Sequence, residues 1–157
     1  MRIGDGFLHP DRLLPAEPSV RALARDLYAS VRDLPIVSPH GHTDPAWFTQ
    51  DRPFEDAASL LVVPDHYLFR MLHSAGVSHD ALGLPRPDGS GRIDGRETWR
   101  VFARHYHLFA GTPSRLWVDH AMSAVLGCPE PLTPGNADAL YDHIGAELAR
   151  PEFRPRA

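Results

Sequence analysis

The chain has 157 residues, a formal net charge of -4, 43% hydrophobic and 23% charged content: enough for one ordinary domain with a core, and too weakly charged for a nucleic-acid surface. All 16 basic residues are arginine, which excludes lysine Schiff-base chemistry and a Walker-type phosphate loop within the chain. A lone cysteine, Cys128, allows no internal disulfide, and neither an apolar run of about 18 residues nor a signal-peptide core is present, so the sequence predicts a reducing, cytoplasmic setting with no membrane partner.

In chain order, the first predicted helix covers Ser19–Asp33. Val20, Leu23, Ala24, Leu27, Tyr28 and Val31 form one stripe, with Arg21, Arg25 and Arg32 mostly outside it. Pro35 ends that helix. The run "IVSP" that follows reads as a short strand, because β-branched residues open it. "GHTDPAWFTQDRPFEDAAS" reads as turn-prone chain. A helix from Pro64 to about Ala75 puts Leu68, Met71, Leu72 and Ala75 on one face and His66, Arg70 and His73 on the other, with Gly76 placed to stop it. "GLPRPDGSGRIDG" is a loop by composition. The next helix, about Asp94 to Phe109, carries Trp99, Phe102, Tyr106 and Phe109 at the 3-4-3 spacing of a buried stripe. Ser114 is placed to cap a further helix with Leu116, Trp117, Ala121 and Val125 inward. Asn136 is placed to cap the last, with Leu140, Tyr141, Ile144 and Leu148 inward. The expectation is five helices and one strand, and that strand needs partners for its backbone edges.

His40 and His42, in "LPIVSPHGHTDP", sit at the end of the expected strand. Residues i and i+2 of a strand share a face, so the two imidazoles would project toward one point. A converging pair of neutral imidazoles suits Zn²⁺ or another divalent first-row metal; the same pair on an exposed loop would be two surface histidines. His105 and His107 have equal spacing but lie in a helical pattern, where i and i+2 diverge by about 200°; His105 is expected to flank the buried stripe and His107 to face solvent. "PDHYLFRMLH" places His66, Tyr67 and Arg70 in the first two turns of a helix. A helix N-terminus attracts anions, and Arg offers a bidentate fork, so these three compose a carboxylate site or else a solvated face with Asp65 as its cap. Trp117, Asp119 and His120 form a weaker cluster, and Cys128 reads as an inert packing residue.

Together, "FLHPDRLLP", "LPIVSPHGHTDP", "DRPFED", "PDHYLFRMLHSAGV" and "RLWVDHAM" resemble, in order and spacing, the N-terminal part of the uronate (glucuronate) isomerase family of the amidohydrolase-like metal-dependent superfamily. The Asp-His-Tyr-x-x-Arg segment makes the likeness specific. Leu68-Phe69 replaces a Lys-Trp pair common in the family, and Asp119 stands where some members carry histidine. The resemblance implies an α/β fold: the opening portion of a (β/α)₈ TIM barrel, this segment mostly α-helical with one or few strands. Residues 1–157 are then expected to be the N-terminal segment of a single barrel domain, since such a barrel takes about 200–250 residues.

By the same resemblance, His40 and His42 match a metal-binding pair for Zn or Mn, and His66, Tyr67 and Arg70 match positions at the substrate site. The implied reaction interconverts D-glucuronate with D-fructuronate and D-galacturonate with D-tagaturonate, through transfer of a proton between C2 and C1. The implied partner is a small uronate sugar, activity is expected of a full-length protein rather than of this segment, and a homo-oligomer is open to that protein. The alternatives are a metal-dependent hydrolase of the same superfamily and a helical interaction module.

Overall fold

The computed structural model describes residues 7–38, 41, 43–84 and 94–157. Seven α-helices occur among them: α1 (Pro18–Val31), α2 (Pro45–Gln50), α3 (Ala57–Leu61), α4 (His66–Ser74), α5 (Gly95–His105), α6 (Pro113–His120) and α7 (Ala137–Leu148). None of these is long and apolar enough to cross a membrane.

The core is built around α5. Trp99 and Phe102 are completely buried, and Tyr106 and Phe109, in the 3₁₀ turn that continues the helix, are nearly so. Their rings run down one side of the element, with Trp99 5.7 Å from Phe102 and Phe102 5.0 Å from Tyr106. Fully burying a side chain of this size contributes about 1.5–3 kcal/mol. Trp99 also donates its Nε1–H to the Ala137 carbonyl at 2.9 Å, so the one polar atom of the ring is satisfied and the start of α7 is fixed beside α5. Leu140, Ile144 and Leu148 of α7 and Ala57, Ala58 and Leu61 of α3 close the core from the other sides. Outside it, Arg96 pairs with Asp138 and Asp142, and Arg100 with Asp138 and Glu97. These pairs are half-exposed, so they set the α5–α7 register more than they add stability.

Local signals set the boundaries. Asp65 accepts from the Tyr67 and Leu68 amides at 2.7 and 3.3 Å and so caps α4. Gly76 has φ 90°, a left-handed value that costs glycine nothing, and the Val77 amide closes back onto the Leu72 carbonyl; this ends α4 where the sequence places the stop. Asp94 caps α5 through the Arg96 amide.

Several expectations are corrected. The run from Gly41 to Ser59, read as turn-prone, holds α2 and the start of α3. Asp44 followed by Pro45 starts α2, the aspartate accepting from the Ala46 amide at 2.8 Å. Asp56 and Ser59 start α3 with a reciprocal capping box. Thr112, not Ser114, caps α6, accepting from the Arg115 amide at 3.2 Å. The inward face of α6 carries Val118 and, beyond it, Met122, while Leu116, Trp117 and Val125 are exposed. Asn136 holds the N-cap position of α7, but its side chain accepts from the Thr133 amide instead of from the helix.

The expected strand at Ile36–Pro39 is not formed at Ile36–Ser38, and no strand occurs among the described residues. A strand is completed by a neighbour, and no strand is available to this one among the described residues. Ile36 and Val37 are accordingly 93% and 89% exposed. At the far end of the chain, Arg156 donates to the Phe48 and Thr49 carbonyls from its guanidinium and to the Asp51 carboxylate from its amide, clasping the last turn of α2.

Candidate substrate site

His66 and Tyr67 open α4, held there by the Asp65 cap beneath them. Consecutive residues on a helix diverge by about 100°, yet the two rings tilt together, with centroids 4.1 Å apart. Both side chains are exposed, Tyr67 by 59%. Leu68, next in sequence, is completely buried against the core. The apolar face of α4 thus presents the His66–Tyr67 pair outward as a consequence of packing.

Two clefts adjoin this point. One, of about 660 Å³, lies between the α3–α4 junction and α6, and His66, Tyr67, Pro64, Leu60, Ser114 and Trp117 are among its walls. The other, of about 630 Å³, is bordered by Tyr67, Arg70, Met71, Phe109 and Ser114. Tyr67 and Ser114 belong to both and stand between them. The structure therefore brings His66 and Tyr67 together, and Tyr67 and Arg70 together, but it places the imidazole and the guanidinium in adjoining hollows. Arg70 borders the second cleft. The first cleft combines an apolar floor with an imidazole, a phenol and a hydroxyl. That mixture suits a small polar ligand that also has a carbon face.

Trp117 and Ser114 are cleft residues the sequence reading assigned elsewhere, Trp117 to the core and Ser114 to a cap. A signal was available. Leu116, Trp117 and Val118 are consecutive apolar residues and cannot all face one core. Val118 and Met122, at i and i+4, make a competing stripe that turns Trp117 outward.

The cluster around Asp119 is structural. Its carboxylate accepts from the Tyr106 hydroxyl at 2.8 Å and from Arg115 Nε at 2.7 Å, and the Arg115 guanidinium lies 4.1 Å over the Tyr106 ring. Burial, with the Asp119 carboxylate beside it, holds the Tyr106 phenol far above its ordinary range, so it stays a donor. His120 joins this corner to the N-terminal segment, its Nδ1 lying 3.1 Å from Arg12 Nη2. Of the His105–His107 pair, His105 is half-buried with Nδ1 2.8 Å from the Val101 carbonyl, and His107 is exposed.

His40 and His42 lie outside the described residues. Asp44, close behind them in sequence, is engaged in capping α2. Among the described residues, no group of three or more His, Cys, Asp or Glu side chains could hold a metal ion.

Comparison with known proteins gives the segment its relatives. The family model described as glucuronate isomerase matches residues 7–157. A uronate isomerase from Rhizorhabdus wittichii is 59% identical over 150 residues, covering 96% of this chain and 31% of that protein. One from Xanthomonas euvesicatoria is 59% identical over 151 residues, with 96% and 32% covered. The crystal structure of glucuronate isomerase from Caulobacter crescentus, 54% identical, superposes with a TM-score of 0.91 over 100% of this chain and 32% of that one. That of uronate isomerase from Thermotoga maritima, 26% identical, gives 0.77 over 96% and 30%. The chain spans about a third of the length of these relatives. With the family model matched from residue 7 to residue 157, the chain belongs to the glucuronate isomerase family.

Proposed function

We propose that a family-length protein carrying this segment is a cytoplasmic uronate isomerase, interconverting D-glucuronate with D-fructuronate and D-galacturonate with D-tagaturonate. The observation that supports this best is the family match across residues 7–157, in which the His66–Tyr67 pair stands at the mouth of a cleft. In this reading the segment opens a (β/α)₈ barrel.

The substrate is an open-chain sugar with a carboxylate at C6 and a carbonyl at C1 or C2. Arg70 offers the carboxylate a planar two-pronged donor on one side of Tyr67. His66 and the Tyr67 phenol contact the hydroxyls and carbonyl on the other side. Trp117 and Leu60 give the carbon backbone an apolar wall and keep water from that face. Moving a proton between C2 and C1 requires a positioned acid/base within hydrogen-bond reach. His40 and His42 would hold a divalent first-row ion, Zn²⁺ or Mn²⁺, which would supply Lewis-acid polarisation of the oxygens at C1 and C2.

The test is an isomerase assay on the family-length protein with both uronates, following the ketose product by NMR. Tyr67→Phe is expected to lower kcat/KM by about 10–100-fold, and Arg70→Lys to raise KM by about 10-fold, through loss of the bidentate contact. Metal analysis of the same protein is expected to return stoichiometric Zn or Mn, lost in the His40→Ala, His42→Ala double variant. Hydrolysis of an ester or amide without turnover of either uronate would overturn the reading.

A further inference from the structure

Tyr67 and Ser114 border both clefts, and of the two only Tyr67 has a part in the isomerase reading. Ser114 comes from a different helix. Gly111, at φ 75°, turns the chain, Thr112 caps α6, and Pro113 opens it with a φ fixed by its ring. Ser114 is therefore carried on a stiff helix start and borders the same two hollows as Tyr67 of the Asp65-capped α4. Among the described residues around the clefts, the aliphatic hydroxyls are those of Ser74, Thr112 and Ser114. Ser74 donates to the Met71 carbonyl at 2.9 Å. Thr112 donates to the Phe109 carbonyl at 2.7 Å and accepts from the Arg115 amide at 3.2 Å. A hydroxyl has one proton to give, so both of these donors are already engaged. That leaves Ser114, and α6 is capped without it.

We propose that Ser114 contacts the C4 hydroxyl of the uronate, and so sets how the site divides its turnover between D-glucuronate and D-galacturonate. The inference rests on the isomerase reading and deepens it. In that reading the C6 carboxylate lies with Arg70 in one hollow, and the carbonyl end lies with His66 in the other. The sugar must then cross the boundary between the hollows with its middle carbons, C3 and C4. Tyr67 and Ser114 stand at that boundary. The two aldoses share their configuration at C2, C3 and C5 and are opposite at C4. A hydroxyl held at a fixed place on the boundary therefore meets the C4 group of one epimer and finds that of the other turned away. A hydrogen-bonding group distinguishes a well-placed hydroxyl from a displaced one far better than an apolar wall does. Ser114 is short and sits on a capped helix start, so it cannot follow the hydroxyl to its other position.

The experiment measures kcat/KM for both uronates in the family-length protein and in its Ser114→Ala and Ser114→Thr variants. Ser114→Ala is expected to lower kcat/KM for one epimer by about 3–10-fold, the effect of losing one neutral hydrogen bond, and to leave the other within about 2-fold. Ser114→Thr keeps the hydroxyl and is expected to hold the ratio between the two sugars near its native value. A 4-deoxy uronate offers Ser114 no hydroxyl, and the native protein and Ser114→Ala are expected to turn it over equally. Equal losses on both epimers in Ser114→Ala give the serine a structural part only and overturn the proposal. Unchanged kinetics in that variant overturn it too, as does a loss on the 4-deoxy sugar. A ratio moved as far by Ser114→Thr as by Ser114→Ala also overturns it, because side-chain shape and not the hydroxyl is then the determinant. A native protein inert towards both uronates sinks the isomerase reading and this proposal with it, whereas an active protein whose ratio does not move sinks this proposal alone.

Discussion

Burial, reinforced by Glu147, raises the Cys128 thiol to about 11 from an ordinary 9.0. Unfolding returns it to the ordinary value. Between about 9 and about 11 the unfolded chain sheds this proton while the folded chain keeps it, so the contribution of Cys128 to stability falls as pH rises across that window. Urea melts of the native chain and Cys128→Ala at pH 8, 9.5 and 10.5 are expected to show a difference that shifts steadily against the native chain. Iodoacetamide at pH 8 is expected to leave Cys128 unmodified until denaturant exposes it, because a buried neutral thiol is a poor nucleophile. At this scale the sequence was informative where chemistry is local. The Asp65 cap, the exposure of His66 and Arg70 and the inertness of Cys128 follow from neighbours a few residues away. Trp117 was misplaced because its environment depends on how α6 rolls against α5.

Among the elements, α3 and α5 meet closely at Gly95. A Cβ on Gly95 would lie 2.3 Å from Asp56 Oδ2, well inside van der Waals contact. Asp56 is meanwhile the cap of α3, accepting from the Ser59 amide at 2.8 Å. Gly95→Ala is therefore expected to displace that carboxylate and cost about 1–3 kcal/mol through lost capping and overpacking, read as a lower midpoint in a urea melt. Ser59→Ala, which removes half of the same box without the clash, is expected to cost less. The long elements were legible because α5 and α7 repeat their apolar positions over several turns. The five- and six-residue helices α3 and α2 have no room for a period, and only their caps announce them: Asp-Pro at 44–45 and the Asp56–Ser59 box. The strand expected after Pro35 failed for another reason. β-Branched residues report a preference for a pleated environment, and the environment is built by a neighbour.

Across the whole molecule, stability is divided. Residues of α3, α4, α5, α6 and α7 share one apolar core, and none of α1 is buried. The N-terminal segment reaches the body through Phe7, packed against the core, and through the Arg12–His120 contact. Hydrogen exchange on the isolated chain is expected to separate these parts, with α1 amides opening at least about 2 kcal/mol more cheaply than those of α5. Periodicity found the apolar side of α1 but could not say what covers it, and the same limit left the barrel to be implied by resemblance alone. The clasp of Arg156 on the Phe48 and Thr49 carbonyls carries a practical consequence. Anything fused directly behind Ala157 would ride against α2, so a bulky tag there would press on that helix instead of trailing harmlessly into solvent.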